Sequence, residues 1–495
     1  MITAVRAARW TRADTFALTV LMTLAAALRF VRLGDPDSIV FDETYYAKDS
    51  CWYAITSSSL CDVEGDQTAG VHPPLGKWLL AAGIKLFGYD SFGWRFAAAL
   101  AGVATVALLY LLARRLLRST LAASLTTGLL ALDFLHFVQS RIAMLDIFVP
   151  MFGLAAVLFV VIDRDVALAG DGSSEGRKIR RPWRLAAGAA AGAATASKWS
   201  GAFFVLLVIL LSIVWEVAAR RERGEVHPLR GALRDEWISL LAYLVVLPVL
   251  VYGATFIGQV HGGLLGAPWS DGTWLRRWWD RQINMADFHF GLEATHTYQS
   301  PPWSWPLVRR PVSYFYETTA SGERAEILAL GNPILWWSSI PALVFVAYRW
   351  ARRRDFRRPE GVILAGFVVT YGPWLLQQTD RSAVFLFYLL PSVPFMYLAI
   401  GAVAATVGNT WEAKAAVMVV AALAAGSFSF FYPVMAKVPL TADQWSDRMW
   451  YQSCDRAPPR TTTSTTLETR RRATITRTTT STLEESPPPT GWCWI

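Results

Sequence analysis

The chain has 495 residues, of which 54% are hydrophobic and only 17% are charged, and its formal net charge is +9. Apolar runs recur from one end to the other, which excludes a soluble globular domain and indicates a membrane protein with several spans. The positive charge does not indicate nucleic-acid binding, because the basic residues form short clusters between apolar runs, as in loops that stay on the cytoplasmic side.

The apolar runs predict eleven helical membrane spans, and no segment has a clear run of strand signals. The predicted spans are residues 15–31, 92–112, 121–137, 142–162, two short spans within 185–215, 237–257, 334–348, 361–376, 383–405 and 415–431. Because Arg6, Arg9 and Arg12 precede the first span, we expect a cytoplasmic N-terminus and, after an odd number of spans, an extracytoplasmic C-terminus. The first run is long for a cleaved signal segment, so we expect it to remain as a span. The predicted fold is all-α and polytopic, with one membrane-embedded domain over residues 1–450.

The apolar run over residues 185–215 is longer than one span and shorter than two full spans of about 20 residues each. Basic residues precede it at Arg184 and follow it at Arg220, so the chain is expected to return to the same side. We therefore predict two short or tilted helices with Lys198 at the external turn between them.

Two long loops are predicted to lie outside the membrane, at about residues 32–91 and about residues 258–330. The first contains two adjacent carboxylates, Asp42 and Glu43, directly after the first span. A carboxylate held at a membrane surface can take a proton from a hydroxyl while its neighbour keeps the site organised. The alternative is that both acids are solvated loop residues or lie at a helix N-terminus.

The second external loop is rich in aromatic residues and contains a pattern typical of an interfacial helix. Its apolar residues recur at helical spacing: Leu275, Trp278, Trp279, Ile283 and Ala286. The same loop holds Tyr298 and Trp303. These side chains either line a groove for an extended peptide or anchor the loop at the membrane surface.

Cationic residues gather at the same predicted face of the membrane. They are His72 and Lys77 in the first loop and Arg95, Arg141, Lys198 and Arg381 near the outer ends of spans, where Asp146 also lies. Charges this close to hydrocarbon are costly and usually have a partner or a ligand, although some reach the interface by snorkelling. A ring of cations opposite a carboxylate pair favours an anionic lipid substrate.

Cysteine and histidine residues give little further information. Cys51 and Cys61 lie in the same predicted external loop, where oxidation is allowed, so a disulfide between them and two free thiols are both open. The Cys and His spacings do not resemble a zinc site, and we expect no metal site.

The C-terminal tail, residues 451–495, has a different composition from the rest of the chain. Residues 461–482 are mostly Thr, Ser and Arg and are followed by three prolines. Such a segment cannot bury enough apolar surface to fold, so we expect it to be disordered. It is either an exposed stalk or an artefact of a shifted reading frame.

Four short motifs resemble those of the protein O-mannosyltransferases, and more narrowly the actinobacterial-type members that lack sugar-binding MIR domains. They are Phe41–Tyr46 (FDETYY), Val71–Lys77 (VHPPLGK), Gln139–Asp146 (QSRIAMLD) and Ser197–Gly201 (SKWSG). The resemblance covers about residues 29–450 and implies the membrane-embedded glycosyltransferase fold called type C. The Thr-rich tail has no counterpart in that family.

The resemblance implies an enzyme of the plasma membrane that transfers mannose from polyprenyl-phosphate mannose to Ser or Thr hydroxyls of proteins, with inversion, on the extracytoplasmic face. No cofactor is expected beyond this lipid-linked donor, and the partners are acceptor polypeptides, met in some cases during translocation, and membrane lipids. Asp42 is the expected base and Glu43 its supporting carboxylate. The residues expected to bind the donor phosphate or sugar are Arg95 first, then Arg141, Lys198, Arg381, His72 and Lys77. Tyr45, Tyr298 and Trp303 are expected to bind the acceptor.

Two other functions remain open at this point. A related type C glycosyltransferase would use the same donor on a lipid or cell-wall glycan. A transporter would place ionisable groups at mid-membrane depth and contain inverted repeats. The predicted gathering of polar groups at one face disfavours the transporter.

Overall fold

The computed structural model is a mostly helical bundle with one hairpin packed against it and a second hairpin in the tail. It describes residues 9–55, 57–62, 70–169, 181–257, 274–291, 296, 298–355, 357–376, 383–407 and 410–450, and the backbone of residues 461–470 and 473–482. Arg381, one of the predicted phosphate ligands, lies outside the described residues.

Eighteen α-helices are present in the described ranges. They are α1 Arg12–Phe30, α2 Glu43–Ile55, α3 Ser58–Cys61, α4 Leu75–Phe87, α5 Ser91–Leu117, α6 Thr120–Ala131, α7 Phe134–Gln139, α8 Phe148–Ala169, α9 Pro182–Ser197, α10 Ala202–Glu222, α11 Pro228–Leu241, α12 Leu247–Ala254, α13 Trp274–Phe290, α14 Pro333–Arg353, α15 Pro359–Leu376, α16 Val393–Thr406, α17 Trp411–Met435 and α18 Ala442–Ser446. A π-helical turn, Ala242–Val246, joins α11 to α12. Short 3-10 turns lie at Leu145–Ile147, Trp199–Gly201, Pro302–Leu307 and Leu386–Ser392.

Every predicted span coincides with helix, and eight helices in the described part are long and apolar enough to cross a membrane. The three predicted spans that are not among the eight correspond to α6 with α7, to the 16-residue α9, and to α14. The third span is interrupted because Asp133 begins a new helix: its carboxylate accepts a hydrogen bond of 2.7 Å from the His136 amide. The chain is therefore a multi-pass membrane protein, and the count of eleven stays a prediction.

The centre of the bundle is formed by α5 and α16, whose side chains are mostly buried on all sides. Helix α5 begins at Asp90, whose carboxylate accepts from the Gly93 amide, and it packs against α1, α4, α6 and α8. By contrast, α1 and α17 expose most of their surface, as expected of helices that face lipid. This arrangement places the segments before α2, after α7 and before α10 next to one another.

Two antiparallel hairpins were not predicted from the sequence. Strands β1 Val312–Thr318 and β2 Arg324–Ala329 pair within the second long loop, and the aromatic, β-branched composition of β1 favours a strand. Strands β3 Thr461–Arg470 and β4 Ala473–Thr482 pair in the tail, where composition predicts disorder. The physical reason for this difference is that threonine is β-branched and favours extended backbone.

Candidate active site

Asp42 lies in the turn that leads into α2. The carbonyl oxygen of Asp42 accepts hydrogen bonds of 3.0 Å from the amides of both Tyr45 and Tyr46, so this residue begins the helix. Phe41, directly before it, has a φ of 51°, in the left-handed region that costs a non-glycine residue about 1 kcal/mol. The Asp42 side chain is half-buried, and no donor in the described part of the chain makes a hydrogen bond to its carboxylate. The carboxylate can therefore still accept a proton.

Glu43 and Arg95 form a buried ion pair that holds this turn in place. Arg95 donates from Nε to Glu43 Oε1 over 2.7 Å and from Nη2 to Glu43 Oε2 over 2.8 Å, and neither side chain is exposed. Glu43 also accepts from the amides of Val40 and Ala143, over 3.0 and 2.8 Å. The pair thus fastens the first loop to the segment that follows α7.

Arg95 also binds the backbone of the first loop directly. Its guanidinium donates to the carbonyl oxygens of Leu33, Pro36 and Ser38, the last two over 2.8 Å each. Because all of its nitrogens donate to protein groups, Arg95 organises the loop that carries Asp42.

A second ion pair, Asp146 with Lys198, lies beside Asp42. Lys198 Nζ is 2.8 Å from each carboxylate oxygen of Asp146, and it lies 4.9 Å from the centroid of the Tyr388 ring. Both charges act on Asp42 through space. A cation, a paired acid and a carboxylate without a hydrogen-bond donor therefore meet at one place.

The environment of Asp42 raises the pKa of its carboxyl from 3.8 to about 6. Burial is the largest cause, because it disfavours the charged form. The positive charge of Lys198 opposes this increase, and the negative charge of Asp146 adds to it. A carboxylate with a pKa near 6 is ionised at neutral pH and is a stronger base than an ordinary aspartate.

His72 and Lys77, both predicted to bind the donor, lie just before α4 and in its first turn, and α4 packs against α2. Lys77 Nζ is 2.6 Å from a carboxylate oxygen of Asp49, and both side chains are buried. The His72 ring lies 5.8 Å from the Tyr46 ring and 5.0 Å from the ring of His289 on α13. His289 Nε2 lies 2.7 Å from the carbonyl oxygen of Val71, so α13 is joined to the first loop.

Arg141 is placed at the C-terminal end of α1. It donates to the carbonyl oxygens of Leu28, Arg29, Val31 and Arg32, over 2.6 to 3.1 Å. Leu28 and Arg29 belong to the last turn of α1, where carbonyls have no partner within the helix, so the arginine caps the helix and neutralises its partial negative charge.

The residues predicted to bind the acceptor are spread over a wider surface. Tyr45 is 54% exposed and Trp303 is 49% exposed, whereas Tyr298 is half-buried. The guanidinium of Arg309 lies over the Trp303 ring at 5.6 Å. These side chains offer aromatic faces for contact, but only Tyr45 is close in sequence to Asp42.

Cys51 and Cys61 form a disulfide, with 5.4 Å between their Cα atoms. Both residues are fully buried, and the bridge joins α2 to α3. The disulfide thus ties α2, the helix that follows Asp42, to α3 and restricts the second half of α2.

Several side chains around Asp42 and its neighbours were not among the predicted site residues: Asp146, Tyr314, Tyr388 and, beside His72, His289. Asp146 had a usable signal, because it is a charged residue at the end of a span and closes the QSRIAMLD motif. The aromatic and imidazole side chains had none, because the chain contains 23 Trp, 16 Tyr and 26 Phe residues without periodicity that singles these out.

Comparison with protein-family models gives two matches that together span most of the chain. Residues 19–262 match the family described as dolichyl-phosphate-mannose-protein mannosyltransferase. Residues 274–454 match the C-terminal four-span region of protein O-mannosyltransferase.

The chain is also similar to curated bacterial proteins named polyprenol-phosphate-mannose–protein mannosyltransferase. The Mycobacterium tuberculosis protein is 33% identical, over 88% of this chain and 91% of its own length. The Corynebacterium glutamicum protein is 30% identical, over 81% of this chain and 84% of its own length.

Solved structures with a similar fold are membrane glycosyltransferases. The Saccharomyces cerevisiae protein O-mannosyltransferase complex bound to the sugar donor aligns with a TM-score of 0.71 at 16% identity, covering 90% of this chain and 93% of that chain. ArnT from Cupriavidus metallidurans aligns with a TM-score of 0.53 at 20% identity, covering 88% and 68%. At these identities the likeness concerns the fold, which is the type C fold of membrane-embedded glycosyltransferases. With the family matches and the bacterial relatives, it follows that the chain belongs to the protein O-mannosyltransferase family.

Proposed function

We propose that this protein transfers mannose from polyprenyl-phosphate mannose to Ser or Thr hydroxyls of proteins, on the extracytoplasmic face of the plasma membrane. Family membership and the named activity of the bacterial relatives support the donor and the protein acceptor. The observation that carries the chemistry is Asp42, a half-buried carboxylate with a raised pKa beside the Asp146–Lys198 pair.

The reaction needs a base and a means of stabilising the leaving phosphate. In the proposed mechanism Asp42 accepts the proton of the acceptor hydroxyl as its oxygen forms a bond to the anomeric carbon of mannose. The bond between that carbon and the phosphate oxygen breaks, and the phosphate leaves with the electron pair. Attack opposite to the leaving group inverts the configuration at the anomeric carbon.

Lys198 is the cation best placed to stabilise the leaving phosphate. It lies within electrostatic range of Asp42 and is held by Asp146 in a buried position, where its charge is less screened than in water. Arg95 and Arg141 donate to Glu43 and to backbone carbonyls, so in this proposal they act on the donor through the loop they order. We propose that the reaction needs no cofactor beyond the lipid-linked donor.

The topology follows from the same proposal. Eleven spans, a cytoplasmic N-terminus and an extracytoplasmic C-terminus place the turn at Asp42 outside the cytoplasm. Single cysteines introduced at exposed Asp37 and at exposed Arg223 provide the test, in a background lacking the other cysteines. A membrane-impermeant thiol reagent added to intact cells should label the first and not the second. The opposite labelling would overturn this orientation.

The enzymatic test uses purified protein, radiolabelled polyprenyl-phosphate mannose and a Ser/Thr-containing peptide, with an Ala-substituted peptide as the blank. We expect wild-type protein to label the peptide in the presence of EDTA and Asp42→Asn to lose about 100-fold or more of this activity while still binding the donor. Asp37→Asn removes an exposed acid of the same loop and is expected to leave the rate unchanged.

Other outcomes of this assay contradict parts of the proposal. Near-normal turnover by Asp42→Asn would remove that residue as the base. Transfer to a lipid or glycan fraction, without transfer to peptide, would replace the protein acceptor by the related glycosyltransferase function.

A further inference from the structure

Tyr314 interrupts the pairing of the hairpin formed by β1 and β2. Ser313 is opposite Leu328 and Phe315 is opposite Ile327, so Tyr314 is the extra residue of a β-bulge. A bulge bends the strand and turns one side chain away from its regular direction, and bulges often lie next to active sites. Here the Tyr314 side chain points into the protein, and only 5% of it is exposed.

The Tyr314 ring packs on the residue that precedes Asp42. It stacks on Phe41 with 4.4 Å between ring centroids and 26° between planes, and it meets the edge of Phe387 at 5.9 Å. The Tyr314 hydroxyl accepts a hydrogen bond of 2.7 Å from Gln139 Nε2. The tyrosine therefore joins the second loop, the end of α7 and the Asp42 turn.

Phe41 needs such support because its backbone is in the left-handed region, with a φ of 51°. An aromatic residue keeps this conformation only where surrounding contacts determine it. Rotation of the Phe41 backbone would redirect the next side chain, which is Asp42.

The hairpin that carries Tyr314 is itself anchored by a buried carboxyl group. Glu326 accepts hydrogen bonds of 2.7 Å from Ser313 Oγ and from Trp445 Nε1. Arg324, at the start of β2, and Leu440 exchange backbone hydrogen bonds of 2.8 and 3.0 Å. Glu326 thus holds Ser313, the residue next to the bulge, and the bridge to Leu440 holds the start of β2.

We propose that Tyr314 is a positioning residue for glycosyl transfer: by stacking on Phe41 it fixes the direction of the Asp42 carboxylate. This inference rests on the proposed role of Asp42 as the base. The ring also covers one side of the turn and limits the access of water to it. Tyr314 does not need to touch the donor or the acceptor.

The test compares Tyr314→Leu and Tyr314→Phe with Tyr316→Leu, a matched change on the same strand whose ring faces Trp445 instead of Phe41. For each purified variant kcat, KM for the donor and the pH profile of kcat are measured, together with donor binding and thermal unfolding. Tyr314→Leu should lower kcat by roughly 10- to 100-fold with KM changed less than about twofold, because misplacement of the base affects the chemical step. Its acid limb should move to lower pH, because water reaches Asp42 more easily. Tyr314→Phe keeps the stack and should retain most of kcat.

Equal kcat values and pH profiles for Tyr314→Leu and Tyr316→Leu would overturn the positioning role. The role would also be overturned if the loss of kcat in Tyr314→Leu were explained by a smaller fraction of folded protein in thermal unfolding. The Asp42→Asn protein separates this result from failure of the proposed function. If Asp42→Asn is inactive while Tyr314→Leu is unaffected, only the positioning inference fails. If Asp42→Asn is active, the proposed base itself is wrong.

Discussion

Lys198 donates to both carboxylate oxygens of Asp146, over 2.8 Å each, in a position from which the two charges act on Asp42 in opposite directions. Asp146 lies in the 3-10 turn Leu145–Ile147 that precedes α8, and Lys198 lies in the turn between α9 and α10. Because each charge is balanced by the other, burial remains the largest influence on the Asp42 carboxyl. Changes at Lys198 and at Asp146 should therefore shift the pKa of the Asp42 carboxyl in opposite directions.

The transferase activity should decrease as the pH falls below neutrality. The pKa of Asp42 is raised to about 6, and the residue must be ionised to accept a proton, so protonation below this pH removes the active form. We expect kcat to have an acid limb with its midpoint near pH 6 and to be about tenfold lower at pH 5 than at pH 7. Initial rates of peptide labelling between pH 4.5 and pH 8 provide the measurement. A midpoint near pH 4, as for a solvated aspartate, would contradict the raised pKa.

Substitutions in the Asp146–Lys198 pair should move this limb in opposite directions. Lys198→Met removes a positive charge that favours ionised Asp42, so the limb should move to higher pH, by roughly one pH unit. Asp146→Asn removes a negative charge and should move it to lower pH. The measurement is the residual kcat of each variant across pH. Lys48→Met, on α2, serves as the control because Lys48 pairs with the exposed Asp62. Shifts in the same direction for both variants would contradict the electrostatic account.

Breaking the Glu43–Arg95 pair should destabilise the protein strongly. Both side chains are completely buried, so Arg95→Met or Glu43→Gln leaves a partner without compensation and should cost about 3–5 kcal/mol of unfolding free energy. Thermal unfolding in detergent, monitored by circular dichroism, measures the loss. Arg276→Gln is the matched control, because Arg276 and its partner Asp280 are 85% and 58% exposed. That change should have an effect below about 0.5 kcal/mol. Equal stabilities for the buried and exposed variants would show that the pair does not hold the loop.

Glu326 should make stability depend on pH between about 4.5 and 7. Burial raises the pKa of this carboxyl from 4.5 to about 7, so its contribution is fully present below pH 4.5 and is lost as pH rises through 7. We expect wild-type protein to lose on the order of 2–3 kcal/mol between pH 5 and pH 8 through this group. Glu326→Gln should flatten that dependence, whereas Glu323→Gln, at a half-exposed position in the turn of the same hairpin, should not. Melting temperatures across this pH range give the answer, and parallel curves for all three proteins would contradict it.

The helices could be predicted well from the sequence, because a segment that crosses a membrane must be apolar and must satisfy its own backbone hydrogen bonds. Each predicted apolar run coincides with helix. The predicted interfacial helix around Leu275–Ala286 corresponds to α13, Trp274–Phe290. Boundaries were less accurate: the helix predicted to begin at Trp237 begins at Pro228, since its first turns are amphipathic and carry charge. The β1–β2 hairpin was missed because a short paired segment among aromatic residues resembles an interfacial loop.

The two adjacent acids of the candidate site can be read from the sequence, but their partners cannot. Asp42 and Glu43 stand together in the sequence and can be recognised there. The partner of Glu43 is 52 residues away, as is the partner of Lys198, and such pairs depend on how the helices pack. The Tyr314 residue that contacts Phe41 also lies in a β-bulge, and no local sequence pattern predicts that bulge.

The arginine that caps α1 has a consequence for protein engineering. Arg141 donates to carbonyls in the last turn of the first helix and just after it, while Arg95 and Glu43 bind the loop that follows. The first loop is thus held by residues from α5 and from the segment that follows α7. A chimaera that exchanged residues 32–91 alone with a distant relative would lose those supports. Swaps intended to change the choice of acceptor should therefore carry residues 139–146 along with the loop.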